Sequence, residues 1–257
     1  MREQAIDLNF VETGQGIPVV LIHGFPFDHT IWDDVAGDLK AHARVILPDL
    51  RGFGASPASD GIYSMRLLAE DIAALLDRLG IDQAILAGHS MGGYISLAFA
   101  QAYPDRLAGL ALVTSYAGAD TAERRQGRLR LAERVKRVGV KAVVDANLER
   151  YSPDVQVREV TKGYILRSSK KSVVSALKGM AERPDYSDLL PQLKVPCVIV
   201  AGTADAIVSG EKAREMVQML SRGWLVEVPG GGHMPMFEAP RLVSSALLDL
   251  VQHVSNG

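Results

Sequence analysis

The chain has 257 residues, 28 Lys and Arg against 30 Asp and Glu for a net charge of -2, 47% hydrophobic residues and a single cysteine. The apolar fraction excludes a disordered chain, the near-neutral total argues against a nucleic-acid partner, and a lone cysteine excludes the disulfide framework of small secreted domains. Met1-Arg2-Glu3-Gln4 opens without the apolar stretch of a secretory leader, and no run approaches the roughly 18 apolar residues of a membrane span. A cytoplasmic protein with no membrane partner is expected.

In chain order, an early strand is predicted over residues 5–12, ending at Thr13-Gly14-Gln15-Gly16, a turn-like cluster that would open a hairpin. Short apolar, β-branched runs follow at 19–22, 45–47, 84–87, 110–113, 198–201 and 225–228. Between them, apolar residues recur every three or four positions at 31–39, 67–79, 95–102 and 213–220, and a closing amphipathic helix fits 242–254. Strand and helix in alternation predict an α/β fold, a mostly parallel central sheet flanked by helices.

The alternation breaks once, over 115–190, where no buried strand is evident. Residues 121–185 carry 16 basic and 8 acidic residues, a net +8, which leaves -10 for the remainder. Leu129, Ala132, Val135 and Val138 fall at helical spacing among arginines and lysines. The chain is therefore divided into 1–114 as the first part of an α/β core, 115–190 as a helical insert, and 191–257 as the second part of the core.

The most informative stretch is Gly88-His89-Ser90-Met91-Gly92, a G-x-S-x-G placed after a strand run and before a helical one. A nucleophilic serine must project from a sharp strand-to-helix turn, and Gly88 and Gly92 relieve the crowding two residues to either side. The helix that follows aims free N–H groups and a positive dipole end at charge developing on a substrate.

A serine hydroxyl needs a base, and the base an orienting acid. Of the six histidines, His42 and His253 read as solvated, His23 as a structural hydrogen bonder, and His89 as support for the elbow. His233 lies in the glycine-rich Pro229-Gly230-Gly231-Gly232-His233 beyond a strand end, where catalytic groups of open α/β sheets gather. Asp205 lies just past the 198–201 strand and is preferred as the acid over Asp120. The oxyanion would take its hydrogen bonds from the Met91 amide and from the loop His23-Gly24-Phe25-Pro26, with Phe25 as donor and Gly24 allowing its approach. Phe27, Trp32 and Met234 mark an apolar substrate pocket, or else plain core. Cys197 reads as buried and inert. His23 and His29, six apart with no Cys partner, make a poor zinc site, and no dinucleotide fingerprint is present. No metal and no cofactor are expected.

With these residues in hand the chain resembles the α/β-hydrolase fold superfamily along nearly its whole length, in its serine-nucleophile esterase and enol-lactonase-like branch. The matching pieces are the His23-Gly24-Phe25 loop, Trp32, the D-x-x-G-x-G-x-S loop from Asp49 to Ser56, the elbow, the Gly202 to Asp205 stretch and Gly232-His233. The resemblance implies a Ser90, Asp205, His233 triad, in that chain order, and makes the basic insert the family's cap. It implies a serine hydrolase of small carboxylic esters acting through an acyl-enzyme. Two alternatives stay open: a hydrolase of carbon–carbon bonds or enol-lactones in ring-cleavage products, and, from another class, a slow-turnover ligand-sensing protein of the same fold. The expected partner is a small ester-type molecule, and the protein a monomer or homodimer. A basic insert face turned inward would favour a carboxylate-bearing substrate, whereas a face turned outward is only solvated.

Overall fold

Strands form wherever a β-branched apolar run can be covered on both sides, and these runs build the centre of the molecule. The structure, a computed structural model, describes residues 5–256, so the reading made on Met1-Arg2-Glu3-Gln4 lies outside the described residues. Seven strands, β1 (Phe10–Thr13), β2 (Pro18–Ile22), β3 (Arg44–Pro48), β4 (Ala84–His89), β5 (Leu107–Val113), β6 (Cys197–Gly202) and β7 (Gly223–Val228), form one sheet in the order β1-β3-β2-β4-β5-β6-β7. Every pairing is parallel except β1 with β3.

The hairpin expected at 13–16 does not form. β1 is shorter than 5–12 and pairs antiparallel with β3, Phe10 opposite Pro48, instead of with β2. The reason is burial. β2 is apolar throughout its buried part and needs a neighbour on each edge, which β3 and β4 supply, whereas β1 (Phe-Val-Glu-Thr) is half polar and suits the sheet margin.

Helices α1 (Asp33–Leu39), α2 (Met65–Arg78), α3 (Met91–Ala102), α8 (Gly210–Met219) and α10 (Pro240–Ser255), the last preceded by the one-turn α9 (Pro235–Glu238), flank the sheet, α1 packing on α10 and α2 on α3. The predicted helix over 31–39 begins with a 3-10 turn, His29–Trp32, capped by the Asp28 carboxylate. Strand order changes direction between β2 and β4, with Ile22 opposite Gly88. The loops leaving these two carboxyl ends therefore emerge side by side, the place where open α/β sheets bind ligands.

Between β5 and β6 lie four helices, α4 (Ala122–Val138), α5 (Lys141–Tyr151), α6 (Val155–Arg167) and α7 (Lys170–Ala181), α4 packing on α7 and α5 on α6. The inward face of α4 differs from the sequence expectation. Ala132 and Val135 are buried, but Val138 is 61% exposed and Leu129 only half-buried. The inward stripe runs instead through Arg124, Arg128, Ala132 and Val135, spaced by four and three, so its first two rungs are charged. Apolar spacing located the helix and misplaced its face because an ion-pair cluster, described below, draws those arginines in. α7 is fixed to the core where Gly179 meets the Tyr63 carbonyl so closely that no Cβ would fit.

Candidate active site

β4 runs into α3 through one residue, Ser90, whose φ of 50° and ψ of -110° put a non-glycine residue in a strained region. The strain is held in place from both sides. The Ser90 N–H donates to the Val113 carbonyl at 2.9 Å, and the Ser115 hydroxyl donates to the Ser90 carbonyl at 2.7 Å. A Cβ on Gly88 would lie 2.3 Å from the Gly92 backbone, and one on Gly92 2.3 Å from the Ile22 carbonyl. Both glycines are steric requirements of the turn.

His233 Nε2 lies 2.9 Å from Ser90 Oγ, and His233 Nδ1 lies 2.8 Å from Asp205 Oδ2. The side chains of His233 and Asp205 are 2% and 1% exposed. Asp205 Oδ1 accepts the N–H groups of Ile207 and Val208 at 2.7 and 3.1 Å, which fixes the carboxylate independently of the imidazole. With Nδ1–H donated to Asp205, Nε2 is left as the acceptor for the Ser90 hydroxyl. The competing acid Asp120 is committed elsewhere, to three arginines.

The His233 backbone is pinned as firmly as its ring. Its N–H donates to the Tyr151 carbonyl at 2.8 Å, and its carbonyl accepts from His89 Nε2 at 2.8 Å and the Thr114 hydroxyl at 3.1 Å. His89 therefore supports the site and does not enter it. Burial depresses its pKa well below the usual 6.5, so it is neutral with the proton on Nε2. His23 is likewise buried and neutral, donating from Nδ1 to the Gly24 carbonyl at 2.8 Å and accepting the Leu50 N–H at 2.9 Å.

Gly24 sits where a Cβ would be 2.3 Å from His89 Nδ1, so the backbone of the β2 loop approaches the elbow closely. Among the described residues neither the Phe25 nor the Met91 amide has a hydrogen-bond acceptor; Phe25 lines the same cavity as Ser90, and Met91 opens α3 directly after it. The Asp49–Ser56 loop is architectural. Its Asp49 carboxylate accepts from Ala55 N–H, Asn9 Nδ2 and His29, and Gly54 lies so near that a Cβ would meet the carboxylate at 2.2 Å.

Ser90 and His233 open onto a cavity of about 480 Å³, walled by Phe25, Tyr94, Leu131, Met180 and a group of arginines of the insert. The apolar pocket assigned to Phe27, Trp32 and Met234 needs correction. All three are buried at 2% exposure or less and none lines the cavity. Phe27 and Trp32 stack edge-on or tilted against His89, so they hold up the elbow from behind. Among the described residues no group of His, Cys, Asp or Glu could hold a metal ion, and Cys197 is buried with its thiol pushed up to about 12.

Sequence reasoning missed a corner of the insert that docks on the histidine loop. Besides its carbonyl bond to His233, Tyr151 donates its hydroxyl to the Phe25 carbonyl at 3.3 Å. Ser152 donates to Glu238, whose other oxygen accepts the Gly232 N–H at 2.8 Å. Burial pushes the Glu238 carboxyl above its usual pKa. The one available signal was Ser152-Pro153-Asp154, a helix-break and N-cap pattern.

The strand order, the strained serine elbow and the cavity it opens onto define a class, and the chain belongs to it. It is a member of the α/β hydrolase fold family, a family of hydrolytic enzymes, whose profile matches residues 17–240. Among solved structures it is similar to a thermophilic esterase from Thermogutta terrifontis, solved with malate bound, at 39% identity over 96% of this chain and 93% of that one, with a TM-score of 0.93. It is also similar to the enol-lactonase from Burkholderia xenovorans LB400, at 25% identity over 95% and 96% of the two chains, with a TM-score of 0.88. A curated relative is the dihydrolipoyllysine-residue acetyltransferase component of the acetoin cleaving system of Pseudomonas putida, 33% identical over 91% of this chain. The chain spans 63% of that relative's length. Among the described residues no helix is long and apolar enough to cross a membrane.

Proposed function

We propose that the protein is a serine hydrolase of small carboxylic esters, with Ser90 as nucleophile, His233 as general base and acid, and Asp205 as its orienting partner. The observation that carries this reading is the continuous line Ser90 Oγ, His233 Nε2, His233 Nδ1 and Asp205 Oδ2, with links of 2.9 and 2.8 Å at a cavity of about 480 Å³. That volume suits a small molecule.

In the first step Ser90 Oγ attacks the ester carbonyl carbon while His233 Nε2 takes the hydroxyl proton. The Phe25 and Met91 amides donate to the oxyanion that forms, and Asp205 stabilises the imidazolium. Collapse breaks the bond to the alcohol oxygen, which leaves with the proton from His233. Water then gives its proton to His233, attacks the acyl group, and releases the carboxylic acid and Ser90. The helical insert acts as a cap over these steps. Similarity to an enol-lactonase supports enol-lactones, which are internal esters, as a second substrate class open to the same chemistry.

The expected result is turnover of short-chain p-nitrophenyl esters, with kcat reduced by at least about 10^4-fold in Ser90→Ala. A Ser90→Ala protein that keeps most of its activity overturns the reading.

A further inference from the structure

The wall of the cavity contains more positive charge than its ion pairs neutralise. Asp120 is contacted by three guanidinium groups, Arg128 at 2.6 Å, Arg183 at 2.7 Å and Arg124 at 3.3 Å. One buried carboxylate therefore serves three cations. Arg183 lies behind the wall, 1% exposed, with a bond to the Gly118 carbonyl and its guanidinium 4.1 Å from the Tyr94 ring centre. Arg124 and Arg128 face the same cavity as Ser90 and His233, joined at its rim by Arg130 and Arg150, with Glu123 the facing acid among the lining residues.

The surplus is felt by its neighbours. Burial and repulsion from Arg128 and Arg183 depress the pKa of Arg124, against the pull of Tyr94 and Asp120. Burial alone would raise the Tyr94 phenol, yet the same arginines hold it below its usual value. Arg128 is used up by Asp120 and a contact with the Met180 sulfur. Arg124 approaches Asp120 most closely through Nε, at 3.3 Å, and among the described residues its guanidinium makes no hydrogen bond. A guanidinium with a free edge, in a partly desolvated wall where one carboxylate is shared by three arginines, matches a planar carboxylate.

We propose that Arg124, backed by Arg128 and Arg183, binds a free carboxylate of the substrate, so that the preferred ester is an anion, a half-ester or lactone of a dicarboxylic acid. This rests on the ester-hydrolase reading above and narrows it. The carboxylate docks on α4 while the ester carbonyl reaches Ser90, so the charge positions the scissile bond.

The test compares ethyl hydrogen glutarate with the neutral ethyl pentanoate in a pH-stat. The expected kcat/KM ratio favours the half-ester by at least about tenfold, and falls at least about tenfold in Arg124→Gln, mostly through KM. Because Arg124 is held among like charges, Arg124→Gln is expected to melt no lower than the parent protein. Gly127→Glu is the second variant. Its Cβ meets open space on the same wall, and its carboxylate should lower the ratio without removing an arginine. A parent ratio near one, or a ratio unmoved in both variants, overturns the proposal. If neither ester is turned over, the ester-hydrolase reading fails instead, and the subsite is decided by calorimetric titration of glutarate into Ser90→Ala. Binding weakened at least tenfold by adding Arg124→Gln supports it, and no binding or unchanged binding overturns it.

Discussion

Asp205 uses its two oxygens for different tasks, and this separates orientation from charge. Oδ1 is held by the Ile207 and Val208 amides, and Oδ2 faces His233 Nδ1. In Asp205→Asn the amide oxygen can keep both backbone bonds, which turns the NH2 toward the imidazole and forces the tautomer with its proton on Nε2. That proton would face Ser90 and block its activation. The expected outcome is a kcat reduced on the order of 10^4-fold with an unchanged melting temperature, measured by ester turnover and circular dichroism. At this scale the sequence was informative where a residue type, a motif and a strand end coincide, as at Ser90, Asp205 and His233, which the structure brings together. It was uninformative for Phe27, Trp32 and Met234, because an aromatic or Met near a motif looks the same whether it faces a cavity or supports the elbow from the core.

Among the elements, the contact that matters most for the site is the corner between α5 and α6 on the histidine loop. Tyr151 and Ser152 bind the loop directly and through Glu238, and a Cβ on Gly232 would lie 2.8 Å from Pro153. Removing Glu238 frees the Gly232 N–H and the Ser152 hydroxyl together. Glu238→Ala is expected to lower kcat about 10- to 100-fold through a displaced His233, because small misplacements of a catalytic group are costly. Glu238→Gln, which preserves an acceptor for Gly232, is expected to keep most of the activity. Comparable kcat values for the two variants and the parent would contradict this. Such a corner has no periodic signature, since it depends on backbone groups from segments distant in sequence. The face of α4 was misread for a related reason. Hydropathy treats Arg124 and Arg128 as outward, and only Asp120, eight residues before Arg128 in sequence and its ion-pair partner in space, shows why they turn in.

For the molecule as a whole, the parallel sheet was legible because each buried run is continuous and bounded, while the pairing partner of β1 was not, because an edge strand leaves its register to long-range packing. The near-neutral charge proved to be a cancellation with spatial meaning. The +8 segment of the chain forms most of the cavity's charged wall, while the rest of the chain carries -10. Two fully buried histidines give the fold a pH dependence. Burial lowers the folded pKa of both His23 and His89 below the usual 6.5. The unfolded chain therefore binds more protons as pH falls below that value, so stability is present above it and is lost as pH drops toward the folded values. A urea midpoint that declines between about pH 6.5 and 5, with a shallower decline in His89→Gln, is expected. An identical slope in that variant would contradict the assignment of His89 as buried and neutral.

The central claim is that Ser90 is activated as a nucleophile by His233. Reaction with a fluorophosphonate probe, followed by intact mass and peptide mapping, tests it most directly. One adduct per chain located on Ser90, absent in Ser90→Ala and strongly slowed in His233→Ala, is the predicted result. No adduct on Ser90 in the parent protein, or equal labelling of Ser90→Ala, would contradict it.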